Sequence, residues 1–276
     1  MSSLADTHKS EMRELITSLR SIQLAGKSAI TLEKTEPDYV LDIDAQTSSL
    51  SSNPLVAATS SNFTIRLFSK ETLMSAGVIS GHTDVISGVR FCQQDKNLLF
   101  SSSQDSVRCW DLRAPTKAVQ TFQGFEGVSS ITSFDLSCDG RVLCAGSEVN
   151  KDGMDRRHGD LLGCYSECHQ DDITQVEFHP TQADSLLSGS TDGLVCVYDI
   201  SQSSEEEALL STLNSCSSVQ KTGWCGSDKQ NVYCVTHIDT FHVWNAFEGD
   251  NLIKLTDIKE RTKCGCDMLS TLVLGP

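Results

Sequence analysis

The sequence predicts an all-β fold built from a repeated unit. Short runs of alternating apolar and polar residues recur between polar turns, which is the pattern of antiparallel strands with one buried face. The clearest unit runs from Gly81 to Arg113, and its pattern returns between His169 and Asp199. The first run of successive units ends in an aromatic residue, at separations of 43, 44 and 46 residues: Phe91, Phe134, Phe178 and Trp224. A nearly constant period of this length indicates a repeat protein.

The two clearest units resemble a known repeat family. The unit at Gly81–Arg113 has Gly-His near its start and Trp-Asp near its end. These dipeptides, at a period of about 40–45 residues, resemble the WD40 repeat. The resemblance covers residues 30–258 and implies a β-propeller made of four-stranded blades.

The chain provides about five such blades, fewer than rings of this family usually have. The third blade is expected to lack one strand, because Glu148–Asp160 contains no alternating run. Leu161–Tyr165 is predicted as the outer strand of that blade. We therefore expect an incomplete propeller, a shortened form of a longer protein.

The chain divides into three predicted parts. Residues 1–28 form an N-terminal extension, residues 29–258 hold the repeats, and residues 259–276 form an irregular tail. Apolar residues spaced three and four apart predict a short amphipathic helix in the extension, beginning near Ser10 and ending at Gly26. This helix either docks on the repeats or stays marginal alone, and the alternative is a helix that binds a partner or a membrane surface. The resemblance implies that Ala29–Glu33 is a strand that closes the ring.

Composition narrows the class of partner. The net charge of −15 argues against nucleic acid or an anionic membrane as the main partner, and it favours basic partners. Twelve cysteines are spread through the chain without a CxxC pair, a usage that fits a reducing compartment. We therefore expect an intracellular protein of the cytoplasm or nucleus.

The resemblance implies two hydrogen-bonded tetrads that are structural. Their members are His82, Ser101, Asp105 and Trp110 in the second repeat, and His169, Ser188, Asp192 and Tyr198 in the fourth. In the second repeat the turn is shortened to Asp105-Ser106 without the usual glycine, so that tetrad is expected to be imperfect. A Ser-His-Asp set is also the constellation of a hydrolase. The repeat accounts for these residues, and no GxSxG motif is present, so we expect no catalytic site.

Two cysteine groups are candidate zinc ligands. They are Cys264 with Cys266, and Cys164 with Cys168 and His169. A structural zinc site usually has four ligands in two closely spaced pairs, and neither group has a convincing second pair. We therefore expect no metal and no cofactor.

Acidic residues are predicted to gather on one rim of the propeller. The resemblance places there Asp84, Glu126, Asp171, Asp172 and Asp239. The simpler interpretation is a solvated acidic surface. The sharper one is a face that binds a Lys/Arg-rich peptide of another protein.

A second partner hypothesis concerns Arg113. The segment LLFSSSQDSVRCWDLR, residues 98–113, resembles the box ending in Trp-Asp-x-Arg that some WD40 proteins use as substrate receptors of cullin-4 ubiquitin ligases. In that case Arg113 would bind the ligase adaptor. The simpler alternative is an ordinary surface arginine.

Overall fold

The computed structural model describes residues 38–47, 52–104, 106–123, 130–148 and 163–256. Within these ranges the chain forms five antiparallel sheets and one single-turn helix, α1 (Glu205–Ala208). The prediction of an all-β fold is confirmed. The predicted N-terminal helix, the strand at Ala29–Glu33, the tail and two candidate residues, Asp105 and Glu126, lie outside the described residues.

Strands follow one another in chain order within every sheet. The first sheet contains β1 (Val40–Ala45), β2 (Leu55–Ser60), β3 (Thr64–Ser69) and β4 (Ser75–Ser80). The second contains β5 (Ile86–Phe91), β6 (Leu98–Ser103), β7 (Ser106–Asp111) and β8 (Gln120–Gln123). The third contains β9 (Ile131–Leu136) and β10 (Leu143–Ser147). The fourth contains β11 (Ile173–Phe178), β12 (Ser185–Ser190), β13 (Leu194–Asp199) and β14 (Leu209–Asn214). The fifth contains β15 (Val219–Cys225), β16 (Asn231–Thr236), β17 (Phe241–Asn245) and β18 (Asn251–Leu255).

Successive sheets pack against each other with their first strands adjacent. β1 lies beside β5, β5 beside β9, β9 beside β11, and β11 beside β15. Each of the four junctions holds a cluster of buried apolar side chains, with Trp110, Phe134, Tyr198 and Trp224 among the largest members. Burying one large apolar side chain stabilises a fold by about 1.5–3 kcal/mol. The sheets therefore form a propeller-like arrangement held by apolar contacts at each junction.

The third sheet differs from the prediction. Gly163, Cys164 and Tyr165 have no strand structure, so the outer strand predicted at Leu161–Tyr165 is wrong over these residues. Tyr165 instead stacks on Tyr198 of the fourth sheet, with ring centroids 5.0 Å apart. Residues 149–162 lie outside the described part, so the number of blades stays a prediction.

A carboxylate fixes the segment that follows Tyr165. The Glu205 side chain accepts backbone hydrogen bonds from Ser166, Glu167 and Cys168, each at 2.8 Å. Burial acts to raise the pKa of Glu205, but the donors from residues 166–168 lower it below its usual value. Glu205 is the first residue of α1. We call this contact the Glu205 clamp.

The register of the third repeat also needs correction. Phe178 pairs with Leu186, and Phe91 pairs with Leu99 at the same position of the second sheet. The residue of β9 at that position is Leu136, which pairs with Leu143, whereas Phe134 lies two residues earlier. Phe134 is aromatic, like Phe91 and Phe178, but its ring packs in the junction with the second sheet.

Side chains of one first strand bind the backbone of the next. Asp42 accepts from the Val89 N–H at 3.0 Å, and Asp44 accepts from the Phe91 N–H at 2.7 Å. The buried edge of a first strand thereby obtains acceptors for N–H groups that no neighbouring strand pairs.

The same contact recurs between later sheets. The Phe178 N–H donates to Asp135 at 2.7 Å, and the Trp224 N–H donates to Glu177 at 3.4 Å. The Val176 N–H donates to the Ser133 hydroxyl at 3.1 Å. We call these side-chain-to-backbone bonds the edge ladder.

Arg90 links the ladder across the second sheet. Its Nη1 atom lies 2.8 Å from Asp42, and its Nε atom lies 3.6 Å from Asp135. Burial acts to lower the pKa of Arg90, but the two carboxylates raise it above its usual value. One guanidinium thus joins the first, second and third sheets.

Glu177 is the carboxylate with the most altered acidity on this ladder. Burial, and then the charge of Asp135, raise the pKa of Glu177 to about 7 from 4.5. Since the folded-state pKa lies above the unfolded value, the folded chain prefers the protonated acid. The stability that protonation provides is present below about pH 4.5 and is lost as the pH rises toward 7.

We predict that Glu177→Gln removes a pH-dependent loss of stability. The free energy of unfolding of the wild type should fall by about 1–3 kcal/mol between pH 4.5 and 7 through this group. Glutamine keeps an acceptor and has no charge, so the free energy of unfolding of the variant should lack this decrease. Denaturant titrations at several pH values measure it, with exposed Glu206→Gln as control. Parallel pH curves for the wild type and Glu177→Gln would contradict the assignment.

Candidate functional site

Three of the four candidates in the second repeat form one buried network. His82 Nε2 lies 2.6 Å from the Ser101 hydroxyl oxygen, and Trp110 Nε1 donates to that oxygen at 2.8 Å. Ser101 lies in the middle of β6 and Trp110 near the end of β7, so pairing of the two strands sets their separation. Gly81 leaves room for the indole, since a Cβ there would lie 3.0 Å from the Trp110 ring.

The fourth repeat brings all four of its candidates together. His169 Nδ1 lies 3.1 Å from Asp192, and His169 Nε2 lies 2.7 Å from the Ser188 hydroxyl. That hydroxyl donates to the Tyr198 oxygen at 3.3 Å. Burial acts to raise the pKa of Asp192, but N–H bonds from Gln170 and Leu194 lower it below its usual value.

These networks are packed inside the fold. Ser101 is 0% exposed and Ser188 is 5% exposed, and each hydroxyl is in contact with an aromatic side chain of the next strand. A nucleophile needs access to a substrate and a neighbouring space in which the substrate fits. The geometry instead supports a structural use, in which each hydroxyl joins a histidine to an aromatic residue.

The candidate zinc ligands are placed differently. Cys264 and Cys266 lie outside the described residues. His169 is committed to Ser188 and Asp192, as described above, and Cys164 is exposed. Within the described ranges, no three His, Cys, Asp or Glu side chains gather as metal ligands.

The described acidic candidates lie at one end of the sheets. Because strands alternate in direction, the turns between second and third strands share an end with the connections between successive sheets. Asp84, Asp171 and Asp172 lie in such connections, and Asp239 lies in the turn between β16 and β17. We call this end the acidic rim.

The acidic rim also exposes apolar side chains that sequence reasoning missed. Ile238 is 65% exposed, Val85 is 50% exposed and Phe63 is 37% exposed. Phe63 has a φ of 64°, an unusual conformation for a bulky residue. No Lys or Arg occurs in residues 61–63, 81–85, 169–172 or 237–240. The Arg108 guanidinium of β7 reaches this end, where it donates to the Gly81 carbonyl. The rim therefore combines negative charge with exposed apolar groups.

The inner strands border a cavity of about 230 Å³. Its lining includes Asp44, Arg90, Asp135 and Glu177 of the edge ladder, together with His179. Sequence reasoning missed this charged set. The signal was present as a charged residue at one fixed position of the first run in four repeats.

Arg113 extends from the end of the second sheet. Its side chain is 69% exposed, and its Nε and Nη2 atoms contact the Asp111 carboxylate at 2.5–3.1 Å. The hydrogen bonds from Arg113 lower the pKa of Asp111 to about 2. The pair is therefore charged at all ordinary pH values, and Asp111 fixes the orientation of the guanidinium.

We predict that Ser101→Ala destabilises the chain by about 1–3 kcal/mol, because the Trp110 indole N–H then loses its acceptor inside the fold. Thermal unfolding measures the loss. The matched control is Ser75→Ala, which removes an exposed hydroxyl at the start of β4. Equal effects of the two changes would contradict a structural use of the Ser101 network.

No helix in the described part of the chain has the length and apolar character needed to cross a membrane.

Comparison with known proteins identifies WD repeats in the chain and relatives that are WD repeat-containing proteins. The family model for the WD domain, G-beta repeat, matches residues 74–111 and 159–199. The WD repeat-containing protein 89 homolog of Dictyostelium discoideum is 31% identical over 211 residues, covering 76% of this chain and 55% of that protein. The Arabidopsis thaliana WD repeat-containing protein GTS1 is 29% identical over 210 residues, covering 74% and 53%.

A more distant relative has a name that bears on partners. DDB1- and CUL4-associated factor 13 of Dictyostelium discoideum is 21% identical over 172 residues, covering 62% of this chain and 38% of that protein. The chain spans about half the length of the first two relatives. The matched repeats, the propeller-like sheets and these relatives together show that the chain belongs to the WD40-repeat family.

Proposed function

We propose that the chain is a non-catalytic interaction scaffold whose acidic rim binds a basic segment of another protein. The observation that carries this proposal is the composition of the turns and connections of the rim, which hold carboxylates and exposed apolar side chains and contain no Lys or Arg. The Arg108 guanidinium that reaches the rim from β7 is bonded to the Gly81 carbonyl. A Lys/Arg-rich segment with a few apolar residues complements both features. The spread of cysteines without a CxxC pair supports an intracellular location for this scaffold.

Electrostatics set the expected character of binding. An exposed ion pair contributes about 0.2–1 kcal/mol, so several rim carboxylates must act together with apolar contacts. Such pairs weaken with salt, because the Debye length falls to about 3 Å at 1 M. Residues of the buried networks take no part in this surface.

We predict that a Lys/Arg-rich peptide binds the rim and dissociates as salt rises. Asp171→Asn with Asp172→Asn should weaken binding about five- to tenfold at low salt, because two opposing charges are lost. Fluorescence anisotropy with a labelled peptide measures this.

Glu206→Gln with Glu207→Gln is the matched control, since it makes the same charge change at the opposite end of the fourth sheet. Salt-independent binding of a neutral or acidic peptide at the rim would contradict the proposal. Labelling of the pure protein by a hydrolase-directed probe would contradict its non-catalytic part.

A second candidate function rests on Arg113. The Asp111 carboxylate accepts hydrogen bonds from the Nε and Nη2 groups of Arg113. Because a guanidinium has five N–H donors, Arg113 keeps donors for a partner. The name of one distant relative associates that protein with DDB1 and CUL4. These two points support the use of Arg113 as a contact to a cullin-4 ligase adaptor.

We predict that, if this second function holds, the purified adaptor captures the wild type and loses Arg113→Ala and Arg113→Asp. Arg141→Ala is the matched control, because Arg141 also pairs with the aspartate two residues before it and is 85% exposed. Equal capture of the wild type and all variants would contradict the receptor function. Failure of the adaptor to capture any of these proteins or a longer relative would also contradict it.

A further inference from the structure

The connection between β13 and β14 carries serines followed by acidic residues. Residues 201–207 read Ser-Gln-Ser-Ser-Glu-Glu-Glu, and all are exposed except the half-buried Glu205. Since this connection joins a third strand to a fourth, it lies at the end of the sheet opposite the acidic rim. A site on this connection is therefore separate from the peptide-binding surface proposed at the acidic rim.

The charged side chains in the sequence around this connection are acidic. No Lys or Arg occurs from residue 158 to residue 220, whereas Asp and Glu recur throughout that stretch. An enzyme that recognises this connection must therefore present a basic surface, and an enzyme that selects basic residues near its target is disfavoured.

The backbone conformation and the exposure of Ser204 allow an enzyme to bind it. Its backbone is extended, with φ of −131° and ψ of 156°, and its side chain is exposed. The hydroxyl oxygen accepts the Glu207 N–H at 3.2 Å, a bond that does not use the hydroxyl proton. The three residues that follow Ser204 are all glutamates.

Ser203 is less suited to modification. Its hydroxyl donates to the Glu207 carboxylate at 3.1 Å, and that bond uses the hydroxyl proton. A phosphate on Ser203 would lose this bond and place its charge against Glu207.

We propose that Ser204 is a phosphorylation site for a protein kinase that selects acidic residues after its target serine. The Ser204 hydroxyl oxygen attacks the γ-phosphorus of ATP and forms the new O–P bond. The bond from the γ-phosphorus to the bridging oxygen breaks, ADP leaves, and the hydroxyl proton passes to a base of the kinase.

Phosphorylation at this position acts on the Glu205 clamp. A phosphoserine carries a charge of about −1.5 to −2 at neutral pH. Phosphoserine at 204 is the direct neighbour of Glu205, whose carboxylate holds the backbone of residues 166–168. Repulsion between phosphate and carboxylate weakens this hold, so the segment between the third and fourth sheets loosens.

The direct test incubates the full chain with ATP and a purified serine kinase that phosphorylates casein at serines preceding acidic residues. Mass spectrometry should place one phosphate on Ser204. Ser204→Ala should abolish it and Ser203→Ala should retain it. Glu206→Gln with Glu207→Gln should slow incorporation about tenfold, whereas Asp171→Asn with Asp172→Asn, the same charge change elsewhere, should not.

Absence of phosphate, its location on Ser203 or elsewhere, or equal rates for the two double variants would overturn the site. Amide hydrogen exchange of the phosphorylated chain tests the consequence. Exchange at Ser166, Glu167 and Cys168 should become faster than in the unmodified chain. Unchanged exchange at these amides would overturn the coupling to the Glu205 clamp.

Discussion

The open backbone edge of each first strand is the constraint on which the arrangement of sheets depends. A strand whose N–H groups face a neighbouring sheet inside the fold must find acceptors, since an unsatisfied buried group costs about 1–3 kcal/mol. The preceding first strand supplies them through side chains, as Asp44 does for Phe91 and Asp135 does for Phe178. Apolar packing holds the sheets together, and the edge ladder determines how each first strand meets the next.

Some of the acidic residues of the chain lie inside the fold, where their carboxylates are acceptors of the edge ladder. Four of its acceptors are carboxylates, and within the described part Arg90 is the guanidinium that bonds to them. Burial therefore raises the pKa values of Asp44, Asp135 and Glu177. The carboxylates of the acidic rim are a separate population on the surface, where they are available to a partner.

The sequence was sufficient for the units and their hydrogen-bonded networks. The two clearest units, Gly81–Arg113 and His169–Asp199, each contain three consecutive strands of one sheet, because alternation and turn residues act locally. The candidates His169, Ser188 and Asp192 do meet in the structure, because strand pairing fixes their spacing. Their functional assignment stays a prediction.

What sequence reasoning missed depends on contacts between units. Phe134 was given the wrong register, since an aromatic residue at nearly the right spacing outweighed Leu136, which holds the equivalent position. The strand predicted through Tyr165 was wrong, because Glu205 and Tyr198 fix that segment in another form. Neither contact is visible before the third and fourth sheets are placed side by side.

Amide hydrogen exchange at Phe178 tests the edge ladder most directly. In Asp135→Ala the Phe178 N–H loses its acceptor, so its exchange should accelerate, while the Val197 amide within the fourth sheet stays protected. Asp139→Ala, in the turn between β9 and β10, should leave both amides unchanged. If Phe178 exchanges equally in the wild type and Asp135→Ala, side chains of one first strand do not hold the edge of the next, and the account is contradicted.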